Sequence, residues 1–159
     1  YDHAKEIAES MACTLPTRKM VDLIYRSSVK LNPQTMQWGG QMQSTAYMVQ
    51  NTNLIEVQKR VRGIANGTLI GGHKKDVVLS PRLEAMPGRE AIYGWHQANG
   101  RPIQNLCFDH GSFYSDYSHG ARMIMKRCHL DWDEINLSDV LNDETLCQLV
   151  SDEGPLKEI

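Results

Sequence analysis

The sequence has no long apolar run. None of its 159 residues lies in a stretch approaching the ~18–20 apolar residues that cross a bilayer, which excludes a membrane-spanning helix. Nor is there an excess of basic charge. Seventeen Lys and Arg against nineteen Asp and Glu give a formal charge of −2, which counts against a nucleic-acid binder that relies on phosphate contacts. Closely spaced cysteines are missing too. Cys13, Cys107, Cys128 and Cys147 form no CxxC pair, so neither a zinc ribbon nor a thioredoxin-like motif is present. They are too few for a disulfide-dense scaffold, although their even number leaves one or two bridges open. There is no HExxH or HxH spacing and no GxSxG elbow. The start, Tyr1-Asp2-His3-Ala4-Lys5-Glu6, reads as neither a signal peptide nor a tag, and a signal removed in maturation stays open.

What is present is an ordinary globular composition, 41% hydrophobic and 23% charged, which predicts one domain over residues 1–159 with a sizeable core. A helix is expected over 3–12, with Ile7, Ala8 and Met11 on one face. A second is expected from Pro16 to Ser28. Its stripe is Met20, Ile24 and Tyr25, and Pro16 suits a first helical turn. Residues 33–46 read as irregular, and Tyr47 to Arg62 as a third helix. Asp76 to Leu79 and Glu90 to His96 have strand composition. Asn99-Gly100 predicts a hairpin whose two turn residues both take positive φ, returning through 102–106. Arg122 to Met125 is a further strand candidate. Ser138 reads as the N-cap of a short helix over 139–141, and a last helix runs from about 142 to 150. Helices first, strands next and short helices last make an α+β fold: N-terminal helices on a small antiparallel sheet, then short C-terminal helices.

The chemistry-bearing residues are unevenly spread. Five of the six histidines (His73, His96, His110, His119 and His129) lie between residues 73 and 129, several beside glycine or aromatic residues. One constellation is a nucleophilic Cys13 just before the second helix, where the helix dipole would stabilise a thiolate. His73 or His119 would serve as the base, with Asp76, Asp116 or His96 orienting it. A second constellation is a metal site drawn from His73, His96, His110 and His119 with Asp109 and Asp116. Tyr93, Trp95, Tyr114 and Tyr117, with Phe113, either line a groove for a sugar or peptide or fill the core. Lys74-Lys75 reads as a solvated turn that would also attract an anionic substrate.

The run from Cys13 to Tyr25 and the segment Ala91-Ile92-Tyr93-Gly94-Trp95-His96-Gln97-Ala98-Asn99-Gly100-Arg101 together resemble the NlpC/P60 branch of the papain-like cysteine peptidases. The resemblance covers residues 10–125 in outline. It departs at the nucleophile, where Ala12-Cys13-Thr14-Leu15 replaces Asp-Cys-Ser-Gly. It departs again at Glu90-Ala91-Ile92-Tyr93, which lacks the family histidine. The resemblance implies a secreted or periplasmic hydrolase that cuts a peptide or amide bond in bacterial peptidoglycan, with no metal or cofactor. Gly72-His73-Lys74-Lys75-Asp76, Tyr93-Gly94-Trp95-His96, Asp116-Tyr117-Ser118-His119-Gly120 and Ser151-Asp152-Glu153-Gly154 are also similar to parts of exported bacterial proteins without assigned activity. The open alternatives are a metal-dependent hydrolase on the histidines and a non-catalytic module that binds a glycan or peptide.

Overall fold

The computed structural model describes residues 1–157. Helix α1 (Asp2–Ser10) buries Ala4 and Ala8 and leaves Ile7 and Met11 in solvent. Strand β1 (Cys13–Thr14) follows, and then α2 (Arg18–Ser27). The second helix starts later than Pro16. Thr17 is its N-cap, accepting from the Met20 N–H at 3.2 Å, and the Pro16 carbonyl is already taken by Leu79 N–H at 2.8 Å. Pro16 therefore ends an extended segment and does not begin the helix. Strand β2 (Val29–Lys30) leads to the irregular stretch and to α3 (Thr45–Val61), capped by Ser44.

Strands β3 (Ile70–Gly71) and β4 (Lys75–Val77) precede a 3-10 turn over Pro81–Ala85. Strands β5 (Ile92–His96) and β6 (Pro102–Cys107) form the expected hairpin, pairing Ile92 with Cys107 and His96 with Pro102. Its turn differs from the expected one. Gly100 has φ +84°, but Asn99 is not among the residues with positive φ, and the Gln97 N–H bonds to Arg101 O at 2.9 Å. That is a three-residue loop with one left-handed position, not a two-residue turn with two.

Strand β7 (His119–Gly120) runs parallel to β4, so the four-stranded sheet, in the order β6-β5-β4-β7, is mixed and not purely antiparallel. Strand β8 (Ile124–Met125) pairs with β1 instead of joining that sheet. Parallel β2 and β3 make another two-stranded sheet. The hairpin β9 (Arg127–Leu130) and β10 (Asp133–Asn136) lies where no strand was foreseen. Its turn carries no glycine, and Asp131 supplies the positive φ of 54°. Helix α4 (Leu137–Asn142) is capped by Asn136, two residues before Ser138. The last helical piece is only a 3-10 turn, Leu146–Leu149. The architecture is α+β, with N-terminal helices and short C-terminal ones.

The core runs through the length of the chain. Ala4 and Ala8 of α1 meet Leu15, Met20, Val77, Leu79, Ile92, Leu137, Leu141 and Leu156 in one cluster. Val21, Val78, Ala91 and Tyr93 form a second on the other face of β4 and β5. Thr17 joins the two ends of the molecule, because its hydroxyl also donates to the Val150 carbonyl. Thr17→Val keeps the volume and removes both bonds. It should lower stability by roughly 1–3 kcal/mol, read as a fall in the urea midpoint with an unchanged slope.

Candidate functional site

The residues that converge are not the Cys-His pair. Cys13 sits on β1, four residues before the α2 cap, so the unpaired N–H groups of that helix do not face it. It is buried beside α1, and its thiol donates to the Met11 carbonyl at 3.4 Å. Two cavities touch it, and neither is lined by a histidine. No hydrogen bond among the described residues joins Cys13 to His73, His96 or His119.

The predicted bases and orienting residues are distributed over three places. His73 lies half-buried next to Lys74. Burial, reinforced by the Arg122 and Lys74 charges, pushes its pKa down to about 4. Asp76, on β4, pairs with Arg122 at 3.2 Å. Burial raises its pKa against the pull of that guanidinium. His96 lies elsewhere, against α2. Its Nε2 is 2.9 Å from Asp22 Oδ1, which also accepts from Tyr93 Oη at 3.0 Å, and Tyr25 stacks on the imidazole at 4.4 Å. This arrangement fastens α2 to β5. Tyr93 is therefore engaged with Asp22, away from the cavity that Tyr114 lines.

The third place is the one built like a site. The loop from Asp109 to Ser118 folds back on the sheet through backbone bonds from Glu90 N–H to His110 O, Ser112 N–H to Gly88 O and Lys75 N–H to Ser118 O. This brings Asp116 to the middle of a buried polar cluster. Its Oδ1 accepts from the Ser118 N–H at 2.8 Å and the Ser118 hydroxyl at 2.5 Å. Its Oδ2 accepts from Lys75 Nζ at 3.1 Å and Tyr114 Oη at 3.4 Å. Burial alone would raise the Asp116 pKa, but the bonds from His119 and Ser118 outweigh it and hold the carboxyl far below the usual carboxylate range. His119 stands between two carboxylates. Its Nδ1 lies 3.1 Å from both Asp116 Oδ1 and the Asp116 backbone nitrogen, and its Nε2 meets Glu90 Oε1 at 3.1 Å. Burial lowers its pKa, but the carboxylate bonds more than offset that, and the net shift is upward.

Above this floor lies a cavity of about 510 Å³, within the usual range for a small-molecule site. Lys75, Asp116 and Gln104 face it, with the 38–43 segment at one side. Its firmest wall is aromatic: His110 and Tyr114 stack with centroids 4.0 Å apart and planes 5° from parallel. Burial lowers the His110 pKa, so the ring is neutral at pH 7. Neither of its nitrogens makes a hydrogen bond to the described residues.

Of the predicted aromatics, Tyr114 lines the cavity. Trp95 and Tyr117 lie in the core, edge to face at 6.2 Å. Sequence reasoning missed Glu90, Gln43, Gln104 and Trp38, and took Lys75 for part of a solvated turn that would attract an anion. Lys75 is 6% exposed, so it is no solvated turn. The available signal was its place two residues before Val77, on the same face of a strand, which marks a side chain directed into the fold. Among the described residues no group of three or more His, Cys, Asp and Glu is arranged to hold a metal ion. His73 and His96 lie in separate places, while His110 and His119, 6.1 Å apart between centroids, have different partners. No family model, curated protein or solved structure matches the chain.

Two outcomes follow from these environments. His73, whose folded pKa is depressed, should stay neutral until about pH 4 when followed by NMR, so it contributes stability above pH ~6.5 that fades as pH falls. His119 has the opposite sign. Its pKa is raised, so its contribution is complete below pH ~6.5 and is lost as pH rises through the folded value. His119→Gln should therefore cost more stability at pH 5.5 than at pH 8.5. Separately, Lys75→Met strands the Asp116 carboxylate and should destabilise by roughly 3–5 kcal/mol in chemical denaturation.

Proposed function

We propose that the chain is a binding domain for a peptide or glycan of the kind found in bacterial peptidoglycan, seated over the Lys75–Asp116 pair. One observation carries this reading: a buried ion pair, its lysine with donors to spare, forms the floor of an open cavity with a stacked aromatic wall. Asp116 already accepts four hydrogen bonds, and both nitrogens of His119 are occupied. Asp116 is held ionised and His119 has protein partners at both nitrogens, so neither offers a free atom to a ligand's proton, and the cluster is better suited to holding a ligand than to turning one over. Lys75 Nζ spends one bond on Asp116 and faces the cavity, where a ligand carboxylate, carbonyl or hydroxyl would accept from it. The amides of Gln43 and Gln104 and the free imidazole of His110 offer both donors and acceptors to such a ligand. The hydrolase expectation rests on Cys13, and among the described residues no histidine lines the cavities it touches.

The test is calorimetric titration with a soluble disaccharide-tetrapeptide, alongside NMR of the His110 and Tyr114 signals. Binding should shift those signals, and His110→Ala and Gln104→Ala, both at the surface, should each weaken it by roughly tenfold. Equal affinity in both variants, with their folds intact, would remove the cavity from consideration. Release of product with wild-type protein but not with Cys13→Ala would restore the cysteine-hydrolase reading.

A further inference from the structure

The stretch before α3 has no regular structure from Leu31 to Gly39, yet it is fastened to one residue at two points. The Met36 N–H donates to Tyr117 Oη at 2.9 Å, and the Tyr117 N–H donates to the Met42 carbonyl at 3.0 Å. Asn51 of α3 adds a bond from Nδ2 to Gln34 O at 3.0 Å. Tyr117 is a firm post: it is 3% exposed and has Trp95 and Tyr47 edge to face on it. It also lies between Asp116 and Ser118, so the strap is tied to the floor of the cavity.

Between the two fastenings runs Gln37-Trp38-Gly39-Gly40-Gln41. Gly39 has φ +147°, a conformation that L side chains rarely adopt. A Cβ at either glycine would meet nothing within 4 Å, so close approach does not demand these glycines. What they provide is backbone freedom. The Trp38 indole is 87% exposed and lines the same cavity as Lys75, His110 and Tyr114. Leaving an indole in water forgoes about 25 cal/mol for each Å² of apolar surface that a ligand would cover. An exposed indole and a stacked pair present two flat π surfaces, with ammonium and amide donors at the rim. That lining matches a ring that is apolar on its faces and polar around its edge.

We propose that Trp38 is the movable half of an aromatic clamp, and that the ligand is a glycan whose pyranose ring is held between the indole and the His110–Tyr114 stack. This rests on the reading of the cavity as a ligand site and narrows its ligand class. On binding, the strap swings about Gly39-Gly40 while Met36 and Met42 stay bonded to Tyr117. Lys75 and Gln104 take the ring's oxygen atoms.

The experiment uses the full chain carrying Trp132→Phe, because Trp132 is 96% exposed and would mask Trp38, whereas Trp95 is buried. Chitotetraose, cellotetraose, trigalacturonic acid and tetra-alanine are titrated while tryptophan emission is recorded. NMR follows His110 and Tyr114 in parallel. At least one oligosaccharide should bind and shift the emission to the blue. Trp38→Ala should weaken that binding by about tenfold with an unchanged melting curve, and Trp38→Phe should recover most of it. A glycan that shifts the His110 signals but leaves the emission and the Trp38→Ala affinity unaltered overturns the clamp and leaves the cavity reading standing. Binding of tetra-alanine in place of every glycan overturns the ligand class. If no probe moves the His110 signals, the cavity reading falls and the clamp falls with it.

Discussion

A carboxylate that is 3% exposed keeps its charge only if donors replace the water it has lost. Asp116 finds them on three sides: Ser118 from its own loop, Lys75 from β4 and Tyr114 from the cavity wall. The cluster depends on this one group. It holds the loop in the turn that presents His119 to Glu90, and it holds Lys75 Nζ at the cavity floor. The Lys75 backbone bond to Ser118 and the parallel pairing of β4 with β7 set the same register, so main chain and side chain agree on one geometry. Without the carboxylate, a lysine and a histidine would be buried with little to offset their desolvation.

Two of the histidines fasten elements of the fold together. His96 ties α2 to β5 through Asp22, and His119 ties β7 to Glu90. His73, driven neutral by burial and nearby cations, has its Nδ1 buried with no partner among the described residues. His110 differs: it is stacked, half-exposed and free at both nitrogens. The cavity beside it combines a buried polar floor with a segment fastened to Tyr117 at Met36 and Met42 and to Asn51 at Gln34.

The gathering of histidine, glycine and aromatic residues between 73 and 120 was a true pointer to where polar side chains converge. The assignment of roles within it was not readable. Asp116 and His119 were both singled out around Cys13, and the two do meet, away from that thiol, while their further partners Lys75 and Glu90 passed as surface charge and strand edge. Cys13 drew attention as a thiol before a helix. The extended Pro16–Leu79 pairing displaces the helix start to Arg18, and the electrostatic argument for a thiolate goes with it.

Local chemistry by itself determined the α+β class, the positions of α1, α2 and α3 to within a few residues, and the hairpin around Gly100. Each depends on periodicity, capping or a turn residue acting over fewer than about ten positions. Tertiary structure alone decided that β7 lies parallel to β4, that β8 leaves the main sheet for β1, and that Lys75 meets Asp116 across 41 residues of chain. Those choices follow from which faces bury apolar surface together and which charges must then be neutralised inside. They exist only once distant segments share one interior, so no window of sequence contains them.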